Sequence, residues 1–146
     1  MQLNHFTDFG LRVMMYLTQC QGREKRVTIP EIAERFNISR NHLMKVVHFL
    51  SQQGWIVATR GKGGGLVLAQ TPETYKLGKM IFTLERQGTL TDCSDPSCAL
   101  YGQCLMADIL KDELQIFYDS LNRHTLADLV QEPTRAAIIK LHRAAA

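Results

Sequence analysis

The stretch "TIPEIAERFNISRNHLMKVVHFLSQQG", residues 28–54, decides the fold because it holds two helix patterns joined by a very short break. Thr28 stands where an N-cap residue is expected, Pro30 falls in the first turn, and Glu31 follows the cap by three residues. This spacing predicts a capping box at the start of the first helix. The break itself falls at residues 37–38, "NI".

The second helix of this stretch is predicted to begin after Ser39, a good N-cap residue, and to end at Gly54, which suits the position after a helix C-terminus. Its leading edge is polar and basic. Its apolar residues recur at helical spacing and form one stripe: Leu43, Val46, Val47 and Leu50. Two helices joined by so short a turn have the outline of a helix-turn-helix.

The residues on either side complete a winged head. The segment 5–20 carries apolar residues at helical spacing, with Asn4 or Thr7 as its cap. After the second helix, the β-prone runs 56–59 and 66–69 flank the glycine-rich, basic tip "RGKGGG". The predicted fold class is therefore mainly α with a small β-hairpin wing, that is, a winged helix-turn-helix head followed by a long C-terminal helix.

The predicted long helix gives the second half of the chain its role. We assign residues 1–80 to the head, 81–130 to a cysteine-rich loop and a dimerisation helix, and 131–146 to a C-terminal tail that is helical at best and frayed. The remaining sequence barely supplies a partner for the apolar stripe of the long helix, so we expect that stripe to pair with a second copy of the chain. Its members are Met106, Leu110, Leu114, Phe117 and Leu121.

Composition and charge favour a cytoplasmic nucleic-acid-binding protein. No apolar run of the 146 residues reaches the roughly 18 needed to span a membrane, and the first residues lack a secretory signal. We therefore expect reduced thiols. Residues 1–80 hold eleven Lys or Arg against five Asp or Glu, whereas residues 81–146 hold six against nine. The basic half coincides with the predicted head, as in nucleic-acid-binding modules.

The start of the second helix is the predicted DNA-reading edge, because the N-terminal residues of that helix meet base edges in a helix-turn-helix. Arg40 suits guanine and Asn41 suits adenine, each through two hydrogen bonds. The basic wing tip is expected in or beside the minor groove. A solvated polar face is the alternative. The predicted DNA-binding residues are Thr28, Ser39, Arg40, Asn41, His42, Lys45, Arg60 and Lys62.

Three of the four cysteines lie within "TDCSDPSCALYGQC", residues 91–104, which we call the cysteine loop. Cys93, Cys98 and Cys104 have the spacing C-x4-C-x5-C. This spacing matches neither the paired pattern of zinc sites nor the bacterial ferredoxin run. It suggests a cluster with one weaker, exchangeable ligand, while a zinc site and a thiol switch stay open as alternatives. Cys20 is expected to pack as a small core or surface residue.

The order "FTDFGLRVMMYL", "SRNHLMKVV", "RGKGGG", the cysteine loop and "TLADLV" resembles the bacterial winged-helix iron–sulfur transcription regulators, and among them the NsrR-like nitric-oxide-sensing repressors. The resemblance covers residues 1–130. IscR-like regulators are more distant, because their third cysteine is followed within a few residues by a histidine, and residues 106–111 contain none.

The resemblance implies a homodimer that binds double-stranded operator DNA while an iron–sulfur cluster is intact. Nitric oxide attacks the cluster, DNA affinity falls, and nitric-oxide detoxification genes are derepressed. The implied cofactor is a [4Fe-4S] cluster, with [2Fe-2S] as the alternative. The implied ligands are Cys93, Cys98 and Cys104, with Asp8 as the fourth.

Other functions remain open at this point. The same head with a different input would make an iron, redox or cluster-supply regulator, and a zinc-stabilised DNA-binding protein would sense nothing. We do not expect an enzyme, because the sequence pairs no nucleophile with a base and contains no nucleotide-binding loop.

Overall fold

The computed structural model describes residues 2–20, 23–86, 89–93 and 98–144. It confirms the predicted fold class: helices predominate, and the strands pair as one antiparallel hairpin. In chain order the elements are α1 (His5–Leu17), α2 (Ile29–Phe36), α3 (Arg40–Gln52), β1 (Ile56–Thr59), β2 (Gly65–Leu68), a 3-10 turn (Pro72–Thr74), α4 (Leu77–Glu85), α5 (Leu105–Leu121), α6 (Leu126–Leu129) and α7 (Thr134–Ala144).

Local signals set the start of the first two helices, although one predicted cap is only half formed. Asn4 caps α1 by accepting a hydrogen bond from the backbone N–H of Thr7 at 2.8 Å. The Thr28 hydroxyl caps α2 by accepting from the backbone N–H of Glu31 at 3.4 Å. The predicted capping box is wrong in its second half, because the Glu31 carboxylate binds Arg23 instead. α2 ends at Asn37, which adopts a left-handed conformation.

The ends of α3 are set differently from each other. Ser39 is the N-cap residue, as predicted, although its side chain makes no capping hydrogen bond. At the other end Gly54 has φ +69, as predicted for a residue just past a helix. The predicted stripe is the buried face of α3, and it packs with α1 and α2 into the main core.

The wing (residues 56–68) is held against the residues that precede α2. Ile56 pairs with Leu68 and Thr59 with Gly65 in the antiparallel register. The backbone N–H of Leu66 also donates to the carbonyl oxygen of Val27 at 2.8 Å. A Cβ atom on Gly65 would lie 2.6 Å from that same oxygen, so the close approach requires glycine.

The predicted dimerisation stripe is wrong in part, because α4 covers much of it. Leu114 and Tyr118 of α5 are buried with Leu77 and Ile81 of α4. Gly78 permits this contact, since a Cβ atom there would lie 2.1 Å from the carbonyl oxygen of Tyr118. The helix that pairs with α5 therefore lies in the same chain, and it spans the predicted boundary between residues 80 and 81.

The C-terminal tail is more ordered than predicted. α6 begins with a capping box in which Thr125 and Asp128 bind each other. α7 follows, and its Ile138 is only 4% exposed within the main core. The predicted helix is confirmed, whereas the predicted fraying is not seen for residues 134–144. No helix in the described residues is long and apolar enough to cross a bilayer.

Candidate nucleic-acid interface and cysteine loop

The leading edge of α3 points its polar side chains to solvent. Arg40, Asn41, His42 and Lys45 are all exposed, while the opposite face of the helix is buried in the core. The His42 ring also stacks near the Phe9 ring of α1, with 6.3 Å between their centroids. The edge is therefore accessible to a partner and supported from behind by α1.

The wing adds two more exposed cations. Arg60 and Lys62 lie at its tip, beyond the last paired residues of the strands. Arg26, which sequence analysis missed, donates to the hydroxyl of Thr59 at 2.8 Å and so ties the tip end of β1 to the segment before α2. Thr28 is exposed, but its hydroxyl is occupied in capping α2.

The three cysteines of the cysteine loop are free thiols. Cys98 is exposed, and Cys93 and Cys104 are partly exposed. The backbone N–H of Cys98 donates to the carbonyl oxygen of Cys93 at 3.2 Å, which brings these two residues close. Cys104 is the N-cap residue of α5, so the loop ends directly on that helix.

The predicted ligands are not assembled into a metal site within one chain. Across residues 2–20, 23–86, 89–93 and 98–144, no three His, Cys, Asp or Glu side chains come together closely enough to hold a metal ion. The donor set still suits an iron–sulfur cluster in its chemistry, because reduced thiols are the usual ligands. An open cleft of about 310 Å³ beside Cys93 leaves space there, lined in part by Tyr101, Asp108 and Lys111.

Asp8, the predicted fourth ligand, is occupied by an ion pair. One carboxylate oxygen accepts a hydrogen bond from Nε of Arg12 at 3.0 Å, and the other forms a salt bridge with Nη2 of Arg12 at 2.8 Å. Both side chains are about two-fifths exposed. The spacing of four residues along α1 was a signal that could have revealed this pair from the sequence. Arg12 therefore orients the Asp8 carboxylate.

Arg86 is the functional candidate that sequence analysis missed entirely. It ends α4 in a left-handed conformation, φ +55, just before the residues that lead into the cysteine loop. Its guanidinium lies over two rings, 4.5 Å from the centroid of Phe6 in α1 and 4.4 Å from that of Phe49 in α3. No local sequence signal indicates such a contact, because the three residues are far apart in the chain.

The neighbouring Glu85 makes a second attachment. Its carboxylate accepts from the backbone and the side-chain amide of Asn4, both at 3.1 Å. The end of α4 is thus fastened to the start of α1 and to α3.

Cys20 differs from the cysteines of the loop. It is partly buried against the main core, and burial raises the pKa of its thiol to about 11. A thiol in this state is protonated at neutral pH and is a poor metal ligand. The expectation that Cys20 packs as a core or surface residue is confirmed.

Comparison with known proteins identifies the family. The sequence model of the family described as "Rrf2: Iron-dependent Transcriptional regulator" matches residues 3–132. The chain belongs to the Rrf2 family. The family resemblance seen in the sequence is therefore confirmed at this level, and the protein is a transcriptional regulator.

Solved structures support the same assignment. An IscR from T. potens superimposes with a TM-score of 0.71 at 25% identity, covering 93% of this chain and 90% of that one. The oxidised form of CymR from Staphylococcus aureus gives 0.68 at 25% identity, covering 90% and 97%. CymR, the global cysteine regulator of B. subtilis, gives 0.69 at 23% identity, covering 88% and 95%, a likeness of fold. The Rrf2 architecture thus extends over nearly the whole chain.

Proposed function

We propose that this Rrf2-family chain is an iron–sulfur-dependent transcriptional repressor that senses nitric oxide. A homodimer binds double-stranded operator DNA while its cluster is intact, and reaction with nitric oxide releases the DNA and derepresses nitric-oxide detoxification genes. The observation that carries the proposal is a loop of three free thiols that follows α4 in the chain, together with the contacts of Arg86, at the end of α4, with α1 and α3.

Cys93, Cys98 and Cys104 would hold the cluster, and Asp8 would supply the fourth ligand. The cluster is a [4Fe-4S], with [2Fe-2S] as the alternative. When bound, it supplies iron with which nitric oxide reacts. A carboxylate oxygen is a hard ligand beside three soft thiolates, so this position exchanges most readily. Arg12 keeps the carboxylate oriented and would have to share it.

A homodimer is supported by a second apolar face of α5, turned away from α4. Its members fall within residues 105–116 and are each at least 59% exposed, from Met106 and Ile116 at 59% to Leu105 at 76%. An exposed apolar stripe of this kind marks an interface. The occupant we propose is the same face of a second copy: Leu105, Met106, Ile109 and Ile116.

Operator DNA would contact two surfaces of each head. Arg40, Asn41, His42 and Lys45 would enter the major groove, with Thr28 and Ser39 beside them on the phosphate backbone. Arg60 and Lys62 of the wing would lie at the minor groove. A dimer reads two half-sites at a fixed separation, so a small rotation of the heads weakens binding sharply.

Two attachments would couple the cysteine loop to the heads. Asp8 would tie the cluster to α1, and Arg86 ties the end of α4 to α1 and α3. The coupling free energy must come from the different affinity of DNA for the cluster-loaded and cluster-free states. We expect Asp8→Ala to shorten cluster lifetime and to lower the operator affinity of the loaded protein. Arg12→Ala removes the ion pair and keeps the carboxylate. It therefore separates the role of Asp8 as an ion-pair partner from its proposed role as a cluster ligand.

The test is an anaerobic titration with nitric oxide, using a duplex selected from a random-sequence library by the purified protein. Visible absorbance and DNA binding are followed in the same samples. We expect a brown chromophore to bleach while the DNA is released in step. Cys98→Ser should abolish the chromophore, and Cys20→Ser is the matched control that should keep it.

A second candidate is favoured by the likeness to a T. potens IscR and an S. aureus CymR. In this reading the same head responds to iron, redox state or cluster supply. A chromophore that bleaches while the DNA stays bound would favour it over nitric-oxide sensing. Colourless protein that contains zinc would instead indicate a zinc-stabilised DNA-binding protein.

A further inference from the structure

The last turn of α7 is bound to the first two helices of the head. α7 lies outside residues 3–132, which the family model matches, and it contributes Ile138 to the main core. Arg35 of α2 donates to the carbonyl oxygen of Ala144 at 2.7 Å. His142 lies between these two points and contacts α1 and the segment before α2. The last turn of α7 therefore connects the C-terminal tail to α2, the first helix of the helix-turn-helix.

The contacts of His142 fix its protonation state by geometry. Its ring stacks on that of Tyr16, with 3.9 Å between centroids and 9° between planes. Nε2 lies 2.8 Å from the carbonyl oxygen of Tyr16, which can only accept, so Nε2 carries the proton. Nδ1 faces Nη1 of Arg23, which can only donate, so Nδ1 presents its lone pair. The docked imidazole is neutral.

The groups around the ring come from three elements. Tyr16 belongs to α1, Arg23 to the segment between α1 and α2, and Glu31 to α2. The Glu31 carboxylate already accepts two hydrogen bonds from Arg23, at 2.6 and 3.1 Å, and one from the Tyr16 hydroxyl at 2.7 Å. A second proton on His142 would therefore meet the Arg23 guanidinium directly, while the nearest anion is already bound.

We infer that His142 is a positioning residue of the DNA-reading head: its neutral imidazole holds α7 against α1 and α2, and its protonation releases α7 and loosens α2. This inference goes beyond the proposed function and does not depend on the cluster. Burial, with the Arg23 charge, outweighs the opposing effects of the Tyr16 carbonyl and Glu31 and lowers the pKa of His142.

The lowered pKa of His142 sets the direction in which pH changes the docking of α7. The folded-state pKa lies below the unfolded value of about 6.5, so the docking energy is fully present above that pH. It is lost as the pH falls from about 6.5 towards the folded-state pKa, because the released state binds the proton more tightly. One unit below the unfolded value, at pH 5.5, protonation favours release by up to about tenfold.

Hydrogen exchange of the full-length, cluster-free protein at pH 7.5 and 5.5 tests the inference without DNA. After correction for intrinsic rates, we expect the opening of α7 and α2 amides to increase up to about tenfold at pH 5.5. His142→Phe keeps the ring stack but cannot titrate, so it should lose this increase. His124→Phe, which replaces an exposed histidine before α6, is the matched control and should retain it.

Three results would overturn the inference: no increase in the unmodified protein, the same increase in His142→Phe, or an increase confined to α7 with α2 unchanged. Should His142→Phe fail to fold, imidazole ¹⁵N shifts of the unmodified protein decide. They should report the Nε2–H tautomer for His142 with titration below pH ~6.5. An Nδ1–H tautomer, or titration above that value, contradicts it. Loss of nitric-oxide sensing alone leaves these outcomes unchanged, so the two proposals fail separately.

Discussion

Thr7 carries a hydroxyl group into the core of the head. Its side chain is fully buried, and among the described residues its Oγ1 has no hydrogen-bond partner. A buried hydroxyl without a partner is destabilising, because its hydrogen bonds to water are lost on folding. The backbone N–H of the same residue is satisfied by Asn4. The residue therefore fits the helix start well and the core poorly.

Thr7→Val should raise the free energy of unfolding by up to about 1 kcal/mol, since it keeps the shape of the side chain and removes the unpaired hydroxyl. Chemical denaturation of the cluster-free protein measures this. Thr7→Ala is the control, and it should lower the free energy of unfolding because it leaves a cavity. A valine variant less stable than the unmodified protein would show that the hydroxyl does have a stabilising partner.

Arg86 should stabilise the junction between α4 and the head by about 1 kcal/mol through its two ring contacts. We expect Arg86→Gln to lose this contribution, and Arg86→Lys to retain part of it because a cation remains. Denaturation of the cluster-free protein checks both variants. Equal stability of the Gln variant and the unmodified protein would mean that the ring contacts contribute nothing.

At the scale of elements, α5 presents two apolar faces with different partners. One face is buried against α4, with Leu114 and Tyr118 at its centre. The other is exposed and includes Ile109, which is 60% exposed. Sequence periodicity predicts that a helix has an apolar face, but it does not say which apolar residues meet the same chain. The close approach at Gly78 decides that here.

Ile109→Asp should convert the proposed homodimer to a monomer, because it places a charge in the exposed apolar face. Lys111→Gln changes the net charge by the same amount on another side of α5, and it should leave the dimer intact. Sedimentation velocity of both variants is the measurement. A dimer that survives Ile109→Asp would move the proposed interface away from this face.

For the whole molecule, two acid-sensitive contacts lie in one network. Burial alone would raise the pKa of Glu31, but hydrogen bonds from Arg23 and Tyr16 outweigh it, so the pKa is lowered. The ionised carboxylate therefore stabilises the fold at neutral pH. This contribution is lost as the pH falls below about 4.5, the ordinary value, through the folded-state pKa. On acidification the His142 contact is lost before this one, as the pH falls below about 6.5.

The free energy of unfolding should therefore fall in two steps on acidification. We expect Glu31→Gln to be less stable than the unmodified protein at pH 7 and to show a smaller fall below pH ~4.5. The fall between pH ~6.5 and 5.5 belongs to His142 and should be absent in His142→Phe. Denaturant titrations across this pH range separate the two steps. A single step that both variants abolish would mean that the two residues titrate as one unit.

The sequence predicts those parts of the molecule that depend on neighbouring residues. The Thr28 cap, the turn at Asn37 and the end of α3 at Gly54 are local, and each is found where it is expected. The docking of α7 is not predictable in this way, because His142 meets Tyr16 across 126 residues of chain. The left-handed Arg86 likewise carries no local signal.

The residues of the candidate site also differ in whether a local pattern along the chain predicts them. The exposure of the α3 edge follows from helix periodicity, so it could be predicted residue by residue. The ion pair between Asp8 and Arg12 has a visible spacing and was missed. The predicted ligands are not brought together among the described residues of one chain, and no spacing rule along a single sequence can describe groups that meet only across a loop or between two copies.

The backbone bond between Leu66 and Val27 has a consequence for any duplex that this protein reads. The bond joins the wing to Val27, two residues before α2, and so limits how far the wing can move relative to that helix. In the proposed complex, contacts to the two grooves would then be made or lost together within each half-site. Tolerance for variable spacing would come from the interface between the two proposed copies of the chain.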